Sequence, residues 1–145
     1  MTVHNVGLVL DNSIDKFREG EKFHFTWRAG VEQVDLFAQL TGDINPLHLD
    51  EDYALSAGFD GRVVHGFLVA AQISGFIGTV LPGKRCLLLE HRMSYHRPLY
   101  VGSSVVFDVM VRDLCPALQT MRLQIRVMAA SQLVAKGEVL CQIRS

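Results

Sequence analysis

The sequence is short of cysteine, of surplus charge and of unbroken apolar stretches, and each shortage removes a class of protein. Three cysteines, Cys86, Cys115 and Cys141, are scattered along 145 residues. Their number is odd and none forms a CxxC pair, so neither a disulfide framework nor a thiolate metal centre is expected. Reduced thiols packed as small hydrophobes suit a cytoplasmic protein. Lysine and arginine number 14 against 15 acidic residues, for a formal net charge of -1. With no basic stripe, nucleic-acid binding is not expected. The opening MTVHNVGLVLDNSIDKF has no basic segment ahead of a long apolar one, so it does not read as a secretory signal. Val63 to Leu81 approaches membrane-spanning length, but His65, Gly66, Gln72, Ser74, Gly75 and Gly78 interrupt it. Those residues are costly or odd facing lipid, and a helix buried inside a soluble protein accounts for the run better.

What is present suffices for one folded unit spanning residues 1–145, with no composition break that would mark a linker. Apolar residues make up 49%, a slight excess that points to apolar surface hidden in a subunit interface or a substrate tunnel. Alternation at Phe23, Phe25 and Trp27 predicts a short strand. Val31, Val34, Leu36, Phe37 and Leu40 share a helical stripe that stops at Gly42. A polar loop, DINPLHLD, follows from Asp43 to Asp50, with Asn45 held out of helix by Pro46. A short helix from Asp50 or Glu51 closes near Gly58, and a long apolar helix runs from about Val64 to Val80. Four strands are predicted after it, over 86–95, 103–112, 118–129 and 133–143, joined by short turns as an antiparallel meander. Such a sheet needs a cover on one face, and the long helix is the element fit to provide it. The plan is α+β.

The residues with chemical capacity cluster ahead of that long helix. Asp43 and His48 stand five positions apart across a stiff Asn-Pro step. A carboxylate can take a proton from water, and an imidazole can give or take one near neutral pH. Asn45 is suited to orienting either through its amide. The same residues also suit a capping aspartate followed by a surface histidine, and spacing alone does not separate the two readings. Asp43, His48 and Asp50 lie close together, but no second histidine stands at ligand spacing, so no metal is expected. His65 and Gly66 mark the start of the long helix, where backbone N–H groups and the helix dipole favour a developing negative charge. Gly66 would allow close approach of a guest, or simply close packing.

The stretch Phe37 to Ala54 resembles the signature of the MaoC-like (R)-specific enoyl-CoA hydratases, the hydratase 2 family. Phe37, Thr41, Gly42, Asp43, Asn45, Pro46, Leu47, His48 and Ala54 all fall on its pattern. GRVVHGFLVAAQISGFIG resembles the family's central helix, so the likeness covers roughly 37–83. It implies a hot dog fold, a curled antiparallel sheet wrapped around a long helix, and homodimers whose sheets join with an acyl tunnel near the interface. It also implies a reaction: water added across a trans-2-enoyl-CoA, giving the (R)-3-hydroxyacyl-CoA, reversibly. In that likeness Asp43 is the base, His48 its partner acid and Gly66 the backbone donor to the thioester oxygen. Ser74 matches a helix hydroxyl near the catalytic pair, while His65 and Asn45 support the loop.

No cofactor is expected, because the thioester carbonyl itself activates C2 and C3. Phe67, Arg62 and Arg85 are the candidate substrate contacts. Lys84, Arg85, Arg92 and Arg97 either rim a tunnel mouth for a carrier's phosphates or are simply solvated. Phe67, Leu68, Ile73, Phe76 and Ile77 are the candidates to set acyl length. His91 and His96 read as structural or exposed, and His4, His24 and Trp27 offer no chemical partner along the sequence. The acyl-CoA substrate has a close alternative in an acyl-carrier-protein thioester, which would make the protein a 3-hydroxyacyl-carrier-protein dehydratase. A thioesterase, and a non-catalytic acyl-thioester binding module, are the more distant alternatives.

Overall fold

The computed structural model describes residues 7–144; His4 lies outside them. The elements run β1 (Lys22–Arg28), α1 (Val31–Thr41), α2 (Pro46–Leu49), α3 (Glu51–Ser56), α4 (Gly66–Thr79), β2 (Cys86–Tyr95), β3 (Ser104–Cys115), β4 (Thr120–Ala129) and β5 (Gln132–Ile143). Five strands form one antiparallel sheet in the order β1-β3-β4-β5-β2. The meander expected of the last four strands therefore holds for β3, β4 and β5. β2 instead crosses to the far edge and pairs with β5, because α4 lies between the sheet's two edges and β2 leaves it on the β5 side.

Alternation fixes which face of the sheet turns inward. Val105, Phe107, Val109 and Val111 on β3, and Met121, Leu123, Ile125 and Val127 on β4, are all buried. Register breaks at Val111/Asp113, Leu88/Glu90 and Val127/Met128 are the bulges that let the sheet curl. Inside the curl, α4 buries Leu68, Val69, Ile73, Phe76 and Ile77. Phe25 is sandwiched by ring stacking between Phe76 (4.7 Å) and Phe107 (4.5 Å), which ties β1, α4 and β3 together. Leu68, Ile73, Phe76 and Ile77 are thus core residues, and only Phe67 among the acyl-length candidates is exposed. Among the described residues no helix is long and apolar enough to cross a membrane.

One expectation about packing needs correction. The α1 stripe is only partly buried: Val34 and Ala38 face the core, whereas Val31, Leu36 and Leu40 are exposed. The cysteines, distant in sequence, do not all stay apart. β2 and β5 bring the Cys86 and Cys141 thiols close, and that neighbour together with burial pushes the Cys141 thiol far up. All three cysteines are free.

Candidate active site

The site stands at the N-terminal end of α4, where each position of the Phe37–Ala54 segment has a visible task. α1 stops at Gly42, whose φ of 76° is the left-handed conformation that glycine adopts without penalty. The Thr41 hydroxyl donates to the Phe37 carbonyl at 2.7 Å and accepts the Asp43 N–H at 3.3 Å. Asp43 is thereby turned so that Oδ1 receives the Asn45 N–H at 3.4 Å while Oδ2 is left toward the histidines. Ala54, fully buried in α3, leaves no room for a larger side chain beneath the segment.

The expected extended loop contains a helical turn instead. Proline disfavours helix in the residue before it, not in the residues after it, and at the first helical position its missing N–H costs nothing. Asn45 stays extended and caps the turn, its Oδ1 accepting the Leu47 N–H at 3.0 Å, and Pro46 opens α2. The turn swings His48 back toward Asp43. Their Nε2 and Oδ2 atoms are 3.9 Å apart.

His48 Nδ1 lies 2.7 Å from the Val63 carbonyl, which can only accept, so Nδ1 carries a proton and Nε2 is the atom presented to Asp43. The second histidine that sequence spacing did not offer is supplied by the fold. His65, 1% exposed, donates from Nε2 to the Asp43 backbone carbonyl at 3.0 Å, and its Nε2 is 4.0 Å from Asp43 Oδ2. Its ring lies against His48 at 3.8 Å and against Phe37 at 5.0 Å. Its Nδ1 is buried and has no hydrogen-bond partner among the described residues. Ligand atoms of Asp43, His48 and His65 fall within 4.8 Å of one another. The donor set does not suit a cation, because His65 would have to surrender its bond to Asp43 and leave a protonated Nδ1 buried without an acceptor.

Gly66 opens α4, so its N–H is among those with no acceptor inside the helix. Its own carbonyl accepts the Tyr95 hydroxyl at 2.6 Å, and a Cβ built at Gly66 would stand 3.2 Å from the Tyr95 ring. Burial raises the Tyr95 phenol above its ordinary value, so it stays a neutral donor. Tyr95 was not anticipated from the sequence; the one hint was that Gly66 implies a close neighbour. Beside them is a cavity of about 380 Å³ lined by His48, Phe59, Gly66, Val69, Tyr95 and Arg97, among others.

Other expected site residues stand elsewhere. Ser74 lies eight residues along α4 from Gly66, about 12 Å at helical rise, and lines a separate groove with Phe67, Ala70, Leu88 and His91. Burial there lowers the affinity of His91 for a proton. Arg85 is at the opposite end of the helix, about 20 Å from Gly66 by the length of α4, because β2 runs back antiparallel to it; it pairs with Asp11. Lys84 joins that pair and Arg92 pairs with Glu90, so Arg97 alone of the four rim candidates shares the cavity with His48. Arg62 is turned inward, onto Asp35 and the His48 carbonyl. Trp27, for which no partner was expected, donates to Gln33 at 3.0 Å.

An antiparallel sheet curled about one central helix defines the hot dog fold, and here a carboxylate and an imidazole stand 3.9 Å apart at that helix's N-terminus. Residues 13–135 match the model of the MaoC like domain, and the chain belongs to that family. It is 38% identical over 102 residues to the (R)-specific enoyl-CoA hydratase of Aeromonas caviae, covering 70% of this chain and 76% of that one. To the enzyme of the same name from Rhodospirillum rubrum it is 31% identical over 124 residues, 86% of each chain. Among solved structures, an R-hydratase from Pseudomonas aeruginosa in unliganded form superposes with a TM-score of 0.88 at 31% identity, covering 94% of this chain and 88% of that one.

Proposed function

We propose that the protein hydrates trans-2-enoyl-CoA to (R)-3-hydroxyacyl-CoA, reversibly, with Asp43 and His48 as its acid–base pair. The observation that carries this is the 3.9 Å separation of Asp43 Oδ2 and His48 Nε2. That distance is too long for a direct hydrogen bond, and it allows a single oxygen to touch both groups. Asp43 takes a proton from water as the oxygen bonds to C3. Charge moves through C2 to the thioester oxygen, where the free Gly66 N–H and the helix N-terminus receive it. The proton taken by Asp43 passes to the bare His48 Nε2, which faces it at 3.9 Å, and C2 takes it from there on the same face, leaving both groups as they began. His65 holds Asp43 in place through its carbonyl and packs its ring against His48. Asn45 and the Val63 carbonyl fix the turn and the tautomer.

The relatives named for CoA thioesters match more of this chain than those named for 3-hydroxyacyl-carrier-protein dehydratases, at 70–86% against 50–52%. This supports a CoA-linked substrate. Arg97 at the cavity is the candidate phosphate contact and Phe67 a candidate acyl contact in a pair of chains. The functional unit is proposed to be a homodimer. β2 is an edge strand whose Leu87, Leu88 and Leu89 are all exposed, an apolar edge that a lone chain leaves in water. Three free thiols suit a cytoplasmic setting.

The test is loss of enoyl absorbance on mixing with crotonyl-CoA, with chiral analysis of the product. Asp43→Asn and His48→Gln should each lower kcat by about 10²–10⁴-fold. Inactivity of the unmodified protein on CoA and carrier-protein enoyl thioesters of several lengths would sink the reading. Light scattering tests the dimer.

A further inference from the structure

The short helix α2 carries the His48 side chain, yet four residues cannot hold themselves in place. The segment Arg62–Val63 holds it from outside. The Val63 N–H donates to the Leu47 carbonyl at 3.1 Å, and the Val63 carbonyl receives His48 Nδ1 at 2.7 Å. Arg62 adds the third bond, from Nε to the His48 carbonyl at 2.7 Å. The same guanidinium reaches α1 through Nη2, 2.5 Å from Asp35 Oδ1. Its backbone is anchored too: the Arg62 N–H donates to Glu51 at 3.0 Å, and its carbonyl accepts from Val101 at 2.9 Å. One residue therefore joins α1, α2, α3 and the segment after β2.

We infer that Arg62 and Asp35 form a positioning pair that sets where His48 stands for the reaction, and that Arg62 is not a contact for the substrate's phosphates. The inference rests on the hydratase reading above. Its physical basis is the fork shape of guanidinium: one nitrogen holds a carbonyl while another holds a carboxylate, at a fixed angle. An ammonium has one nitrogen, so it cannot place donors at both of the positions that Nε and Nη2 occupy. Misplacement of a catalytic group by about 1 Å costs on the order of 10²-fold in rate. A phosphate ligand, by contrast, acts on substrate binding, is replaceable by lysine, and would gain from losing a competing carboxylate.

The experiment compares Arg62→Gln, Arg62→Lys and Asp35→Asn with the unmodified protein in crotonyl-CoA hydration. Imidazole nitrogen spectra of His48, assigned with His48→Gln, are recorded on the same samples. Expected are a fall in kcat of about 10–100-fold for Arg62→Gln, a fall of similar size for Arg62→Lys, and a smaller fall for Asp35→Asn. KM should stay within about twofold throughout, because no interaction with bound substrate is removed. The His48 signal should change from a single Nδ1–H tautomer to a mixture in both Arg62 variants. The proposal is overturned if KM rises while kcat holds, if Arg62→Lys retains full activity, or if Asp35→Asn lowers KM. If a variant fails to fold, Asp35→Asn, the mildest change, decides between the outcomes. Should the unmodified protein prove inactive on enoyl thioesters, the hydratase reading fails. The tautomer spectra then still test the clamp, and an unchanged His48 signal in Arg62→Gln overturns it.

Discussion

The two ends of α4 carry the same chemical parts and use them differently. Each has an arginine–aspartate pair at 2.5 Å, Arg62 with Asp35 at the N-terminal end and Arg85 with Asp11 at the C-terminal end. Each also has a glycine against a neighbour: Gly66 faces the Tyr95 ring, and Gly83 faces the Leu10 carbonyl. The Arg62 side chain is 16% exposed and also holds a backbone carbonyl of the proposed catalytic turn, whereas Arg85 is 37% exposed and ties down only the segment around Asp11. An ion pair's worth therefore depends on what else the guanidinium touches and on how much water reaches it.

The sharpest test of this contrast uses the glycines. At Gly83, φ is +93° and an added Cβ would come 2.2 Å from the Leu10 carbonyl oxygen. Gly83→Ala should cost about 2–4 kcal/mol in urea unfolding and leave kcat per folded molecule unchanged. Gly66→Ala should do the reverse. Its backbone is ordinary helix, so stability falls by about 1 kcal/mol as the Tyr95 ring gives way, while kcat falls by about 10–100-fold as the proposed oxyanion donor shifts. If the two alanines damage stability equally and activity equally, the two ends are not specialised.

Tyr95→Phe gives a finer cut. It removes the bond to the Gly66 carbonyl but keeps the ring, so kcat should drop by about threefold to tenfold with little change in unfolding midpoint. An unchanged rate would show that the helix alone orients Gly66. The smallest effect belongs to Arg85→Gln, which should leave kcat and KM unaltered. Arg85, and after it Lys84, holds the Asp11 carboxyl below its ordinary value of 3.8. A lowered folded value means that the pair's contribution is complete above pH 3.8 and is lost as pH falls through the lowered value. The difference in urea midpoint between Arg85→Gln and the unmodified protein should thus be slight at neutral pH. It should vanish in strong acid and in about 1 M salt. A change in KM would return Arg85 to the substrate contacts.

Much of the fold was legible along the chain, for a physical reason. Strand and helix periods are local, so Phe23–Trp27, Val105–Val111, Met121–Val127 and the α4 run announced themselves, as did the glycine stop at Gly42. The α1 stripe is only partly a core face because period reports that a helix is amphipathic without saying what covers it; Val31, Leu36 and Leu40 are exposed among the described residues. α2 is hidden in the sequence because an Asn-Pro step points two ways. A proline ends helix before itself and starts one after itself, and the second effect decides where His48 points.

The sequence by itself determined where the strands and the long helix lie, the segment that carries Asp43 and His48, and the helix start at Gly66, since each depends on neighbours a few positions away. Only the tertiary structure decided that His65 joins Asp43 and His48, that Arg62 faces inward while Arg85 stands at the far end of α4, and that Tyr95 bonds the Gly66 carbonyl. Those contacts join residues 14 to 74 positions apart. They exist because an antiparallel sheet returns β2 along α4, and no local pattern encodes which side chain a returning strand will deliver.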